Sequence, residues 1–192
     1  MKISTSLPLA FLGLCVQLSS QAFIGKRANA TATSTYIQIE DSSNKTLNGY
    51  WGYVDSKYSG GNGIALQFTS DKSKATNFSI EGGNLAGYKS GYVAGSTNAE
   101  GTPSGGAIFM SPSDLLTQGG EPTVIAEINA TTGILNLSDT LGSGLKRNLP
   151  QACFVSLSNS GDSSLRTLVL GEEYFSSNSC ANVTLYWRSI DN

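Results

Sequence analysis

The sequence predicts an all-β protein: a single domain of about ten to twelve short strands closed into a β-trefoil-like barrel, with a two-layer sandwich as the alternative. Three observations predict it. Short apolar stretches alternate with clusters of Gly, Asn, Ser and Asp, glycine is abundant at 22 of 192 residues, and helix-forming runs are scarce.

In chain order, strands are predicted over Tyr36–Glu40, Tyr50–Val54, Ile64–Thr69, Asn77–Ile80, Asn84–Lys89 and Gly91–Ala94. Others follow at Ala107–Met110, Val124–Asn129, Ile134–Asp139, Ala152–Leu157, Leu165–Leu170 and Val183–Arg188. Gly82-Gly83 between Ile80 and Leu85 predicts a two-residue hairpin, because glycine takes positive φ without strain. Thr132-Gly133 predicts a slightly longer one, and the two hairpins lie about fifty residues apart. A helical turn is expected at Ser113-Asp114-Leu115-Leu116, with Ser113 as its cap. Gly95 to Gly106 reads as a surface loop, and Ala28 to Ser34 as a frayed, small and polar terminus.

Before the domain lies a leader. Lys2 precedes the apolar stretch Leu7 to Leu18, which is too short to span a bilayer, and Ser20-Gln21-Ala22 supplies the small residues that signal peptidase requires. Residues 1–22 therefore read as a signal peptide, cut after Ala22. Residues 23–27 read as a short pro-segment ending in the dibasic pair Lys26-Arg27, which suits a kexin-type protease or is an ordinary exposed pair of charges. Cutting there leaves 165 residues, Ala28 to Asn192, as one secreted domain. A second dibasic pair, Lys146-Arg147, would split that domain if cut and is expected to stay intact.

Three of the twelve basic residues belong to the leader, leaving nine against fourteen acidic ones. That balance gives no case for a nucleic-acid partner or an anionic membrane. The polar C-terminus, Tyr186 to Asn192, lacks a lipid-anchor signal, so no membrane anchor is expected. Cys15 leaves with the leader; Cys153 and Cys180 remain, and in an oxidising compartment they predict a disulfide contributing about 3–4 kcal/mol. Six Asn-X-Ser/Thr sequons occur, at Asn29, Asn44, Asn77, Asn129, Asn136 and Asn182, and several are expected to carry N-linked glycans. Alternation puts Asn77, Asn136 and Asn182 on the solvent side of their strands.

The chain contains no histidine. A Ser-His-Asp triad, a Cys-His pair and a histidine-ligated metal are thereby excluded, and no phosphate-binding Gly loop occurs. No cofactor, metal or catalytic residue is assigned, and the expectation is a protein that is not an enzyme. Paired-carboxylate glycoside hydrolysis has nominal candidates in Glu40-Asp41, Glu127 and Glu172-Glu173. Tyr50, Trp51, Tyr53 and Tyr58 form an aromatic cluster with two readings: sugar stacking, or core packing, which the sequence favours. Trp187 shares a face with Val183 and Leu185 and reads as core.

The run Ala75-Thr76-Asn77-Phe78-Ser79-Ile80-Glu81-Gly82-Gly83-Asn84-Leu85 resembles the strand–turn–strand element of the PhiA-type fungal cell-wall proteins. The Gly49 to Val54 strand and the late cysteine before an apolar strand, Cys180 to Leu185, occupy similar places. The family typically carries further cysteines near the start of its mature domain, and this chain has none there. The resemblance implies a secreted, wall-associated glycoprotein of hyphae or conidium-bearing cells, with wall polysaccharide or another wall protein as partner and no catalytic residues to carry over. The alternative function is a carbohydrate-binding module or a secreted host-directed effector.

Overall fold

A computed structural model describes residues 34–97, 106–154, 166–171 and 180–190 of the chain. The described residues belong to one compact unit. Its strands are β1 (Ser34–Ser42), β2 (Trp51–Gly60), β3 (Gly63–Thr69), β4 (Phe78–Glu81), β5 (Asn84–Gly87), β6 (Tyr92–Ser96) and β7 (Gly106–Pro112). After helix α1 (Ser113–Gly119) come β8 (Ile125–Ile128), β9 (Leu135–Thr140), β10 (Lys146–Arg147), β11 (Leu149–Cys153), β12 (Arg166–Gly171) and β13 (Cys180–Ile190).

The protein is all-β, built on a closed seven-strand antiparallel barrel. Around the ring the order is β7, β12, β11, β13, β1, β2 and β3, and β3 returns to β7 through Ile64 opposite Met110 and Ala65 opposite Phe109. Closure removes the open edges that a flat sheet would leave. From β7 the pairing also runs outward through β6, β5, β8, β9 and β10, with β4 on the far side of β5. The order of pairing among the described strands contains no unit repeated three times, so the trefoil-like expectation extends as far as the barrel itself.

Period-two alternation explains which side of each strand is buried. In β1, Ile37 and Ile39 are fully buried between the half-exposed Tyr36, Gln38 and Glu40. In β13, Leu185 stands opposite Ile39 and points inward with Val183, and Trp187, opposite Ile37, packs half-buried against the same core. Leu66 and Phe68 of β3, Ile108 and Met110 of β7, and Leu168 and Leu170 of β12 complete the interior. Each such side chain contributes about 1.5–3 kcal/mol by leaving water.

Gly82 and Gly83 turn the β4–β5 hairpin at φ +58° and +84°, the left-handed values that a two-residue turn requires. In the β8–β9 hairpin the Asn129 carboxamide oxygen accepts from the Thr131 and Thr132 amides, and Gly133 follows at φ +74°.

Several boundaries move. Ser34 already belongs to β1, and Gly95, Ser96 and Gly106 lie in β6 and β7 instead of in a loop. β11 begins at Leu149, earlier than expected, and residues 155–157 lie outside the described residues. Pro112 occupies the N-cap of α1 with no side-chain cap bond. Ser113 is instead the first helical residue, its carbonyl accepting from the Thr117 hydroxyl.

One inward position is not apolar. Asp139 follows Leu135 and Leu137 on the inner row of β9 and is fully buried, as is the Arg147 side chain on β10. Arg147 donates from Nε to Asp139 Oδ1 at 2.9 Å and from Nη2 to Oδ2 at 2.6 Å. Nη2 also donates to Ser96 Oγ at 2.9 Å and to the Thr97 carbonyl at 3.3 Å. The guanidinium fits because residue 106 is glycine: a Cβ there would lie 2.5 Å from Nη2.

Candidate functional site

Two kinds of surface position are candidates: the glycan acceptors and an aromatic face of the barrel. Asn77, Asn129, Asn136 and Asn182 are exposed and Asn44 is half-exposed; Asn29 lies outside the described residues. The Asn44 oxygen accepts from the Thr46 amide and hydroxyl, and the Asn77 oxygen accepts from the Thr35 amide. The Asn182 oxygen accepts from Gln151 Nε2. In these three and in Asn129 the oxygen is anchored, and the amide nitrogen makes no hydrogen bond among the described residues. The nitrogen is the atom to which an N-linked glycan attaches. Asn44 and Asn182 are neighbours in space, since Ser43 Oγ accepts from the Asn182 backbone N–H at 3.0 Å.

The aromatic face lies across β13, β1 and β2. Burial of Gly52 and Val54 turns Trp51 and Tyr53 outward, both half-buried, so the favoured reading of these two as core side chains is corrected. Gln38 stands opposite both Trp51 and Tyr186, and Tyr36 stands opposite Arg188. The Tyr36 ring meets Trp51 edge to face with centroids 6.3 Å apart. Cations already use these rings: Lys72 Nζ lies 5.4 Å from the Trp51 centroid, and the Arg188 guanidinium lies 5.0 Å from that of Tyr186.

The four aromatic candidates do not form one platform. Tyr50 packs half-buried against the core, while Tyr58 is 3% exposed and meets Tyr53 edge to face at 6.4 Å. Tyr53 donates its hydroxyl to Asp55. Burial, then that hydrogen bond and the carboxylate's charge, push the Tyr53 phenol well above its ordinary value. The same bond, with the Lys57 backbone amide, holds Asp55 below the usual carboxylate range. Tyr36 and Tyr186 were not singled out from the sequence, although alternation with Ile37 and Leu185 signals that they face outward.

The Cys153–Cys180 disulfide joins directly opposed residues of β11 and β13, with Cα atoms 4.0 Å apart. Of the nominal acids, Glu40 is ion-paired with Arg188, Asp41 with Lys45 at 2.6 Å, and Glu127 is exposed on β8. Glu172 and Glu173 lie outside the described residues, as do Lys26 and Arg27. Among the described residues, no helix is long and apolar enough to cross a membrane, and no group of three or more acidic or cysteine side chains is gathered. Comparisons with protein-family models, with curated proteins and with solved structures find no match.

Proposed function

We propose that the protein is a secreted, N-glycosylated, non-enzymatic component of the fungal cell wall or extracellular matrix, involved in hyphal or conidial wall development. It acts by surface contact with wall polysaccharide or another wall protein. The observation that carries this reading is the set of sequon asparagines tethered through oxygen, with their amide nitrogens left for a glycan. The leader, the disulfide between opposed strands and the PhiA-type resemblance support it. The test is enzymatic deglycosylation of the exported protein in heavy-oxygen water, followed by peptide mass mapping. Labelled aspartate is expected at Asn77, Asn129 and Asn136; unmodified asparagine at all six sequons would remove the reading. Extraction of purified walls tests the location, and recovery solely in culture filtrate would count against it.

The outer aromatic face favours a second reading, a sugar-binding module, because Tyr36, Trp51, Tyr53 and Tyr186 share one side of three neighbouring strands. Glycan-array binding that Trp51→Ala abolishes would support it, and no binding by the parent protein would end it.

A further inference from the structure

A cleft of about 610 Å³ opens between the β2–β3 hairpin and α1, at the opposite end of β2 from Trp51. Gly60 and Asn62 form one wall, Leu115 and Glu121 the other, and Tyr92 and Ser111 lie at the base. Asn62 Nδ2 donates to Glu121 Oε1 at 3.1 Å, so an amide and a carboxylate from the two sides of the cleft meet. The volume falls in the range that holds a small organic ligand.

The lining decides the ligand's chemistry. Among the described residues it contains no lysine or arginine and one carboxylate, so a phosphate, sulfate or uronate would meet like charge with no counterion there. A purely apolar ligand would strip water from Asn62 and Glu121 without replacing its hydrogen bonds, costing about 1–3 kcal/mol for each group. A neutral molecule with an apolar side and a rim of hydroxyls matches both kinds of group in the lining. Leu115, exposed at 53%, and the half-buried Tyr92 ring suit the apolar side. The Asn62–Glu121 pair, the Ser111 hydroxyl and the glycine backbone suit the rim. We propose that this cleft binds a neutral saccharide, a site separate from the aromatic face and independent of where the protein resides.

The test is calorimetric titration of the full exported chain with three neutral oligosaccharides (chitohexaose, laminarihexaose and mannohexaose) and with an acidic one, hexagalacturonate. At least one neutral oligomer is expected to bind, with the acidic oligomer about tenfold weaker or worse. Asn62→Ala and Leu115→Ser, both surface substitutions, should each weaken that binding about tenfold with an unchanged melting temperature, while Trp51→Ala changes it less than about twofold. Absence of binding by all neutral oligomers at millimolar concentration, or affinity unchanged in both cleft variants, would overturn the proposal. Affinity lost only in Trp51→Ala would assign sugar binding to the outer face instead. Wall extraction reads a separate property, so the two proposals fail separately.

Discussion

Leu137 and Asp139 sit two residues apart on the same inward row of β9, and the fold satisfies them by different physics. Leu137 needs only apolar neighbours and finds them in the shared core. Asp139 needs a specific partner in a specific place. It receives two guanidinium bonds from Arg147, whose Nη2 also reaches Ser96 and the Thr97 carbonyl. Apolar packing tolerates substitution by degrees, whereas a buried ion pair that loses one member leaves the other charged and unsolvated.

The sharpest way to break this comparison is Arg147→Ala. It should cost about 3–5 kcal/mol in urea unfolding, because the Asp139 carboxylate then has no counterion. Leu137→Ala removes packing from the neighbouring position and should cost about 2–5 kcal/mol, set by how far the core collapses into the space. Replacing both partners, Asp139→Leu with Arg147→Met, should restore stability to within about 1 kcal/mol of the parent, since no charge is then stranded. A double variant as unstable as Arg147→Ala would mean that the guanidinium matters for its shape beneath Gly106 and not for its charge. Smallest of all, Lys45→Ala removes an exposed i,i+4 pair with Asp41 and should shift stability by less than about 0.5 kcal/mol, with the shift vanishing at high salt.

The same contrast shows what was legible in the sequence. Alternation within a strand reveals its two faces, so the inward Ile37, Ile39, Leu135 and Leu137 and the outward Asn77, Asn136 and Asn182 could be read directly. The Gly82-Gly83 turn was legible because only glycine takes those φ values cheaply. Partners distant in the chain were not. Nothing local tells that β13 lies beside β1, so the meeting of Tyr186 and Arg188 with Tyr36 and Gln38 stayed hidden. Arg147 read as half of a dibasic pair: its carboxylate partner Asp139 lies only eight positions away, but Ser96, which shares the site, lies fifty-one away. An aspartate on the apolar row of β9 was a signal that such a partner must exist. The cleft was equally silent, since Asn62 and Glu121 meet across fifty-nine positions.

For a chain exported as proposed, burial of Arg147 would have a further consequence. A dibasic protease must draw the basic side chain before its cut into its own pocket, and this one is 2% exposed. Passage through a compartment that contains such an enzyme would then sort molecules by completeness. A chain whose β9–β10 hairpin has closed would leave in one piece, and a chain still open there would be severed after Arg147. Intact protein in the medium, with fragments accumulating only for Asp139→Ala, would be the signature of that sorting.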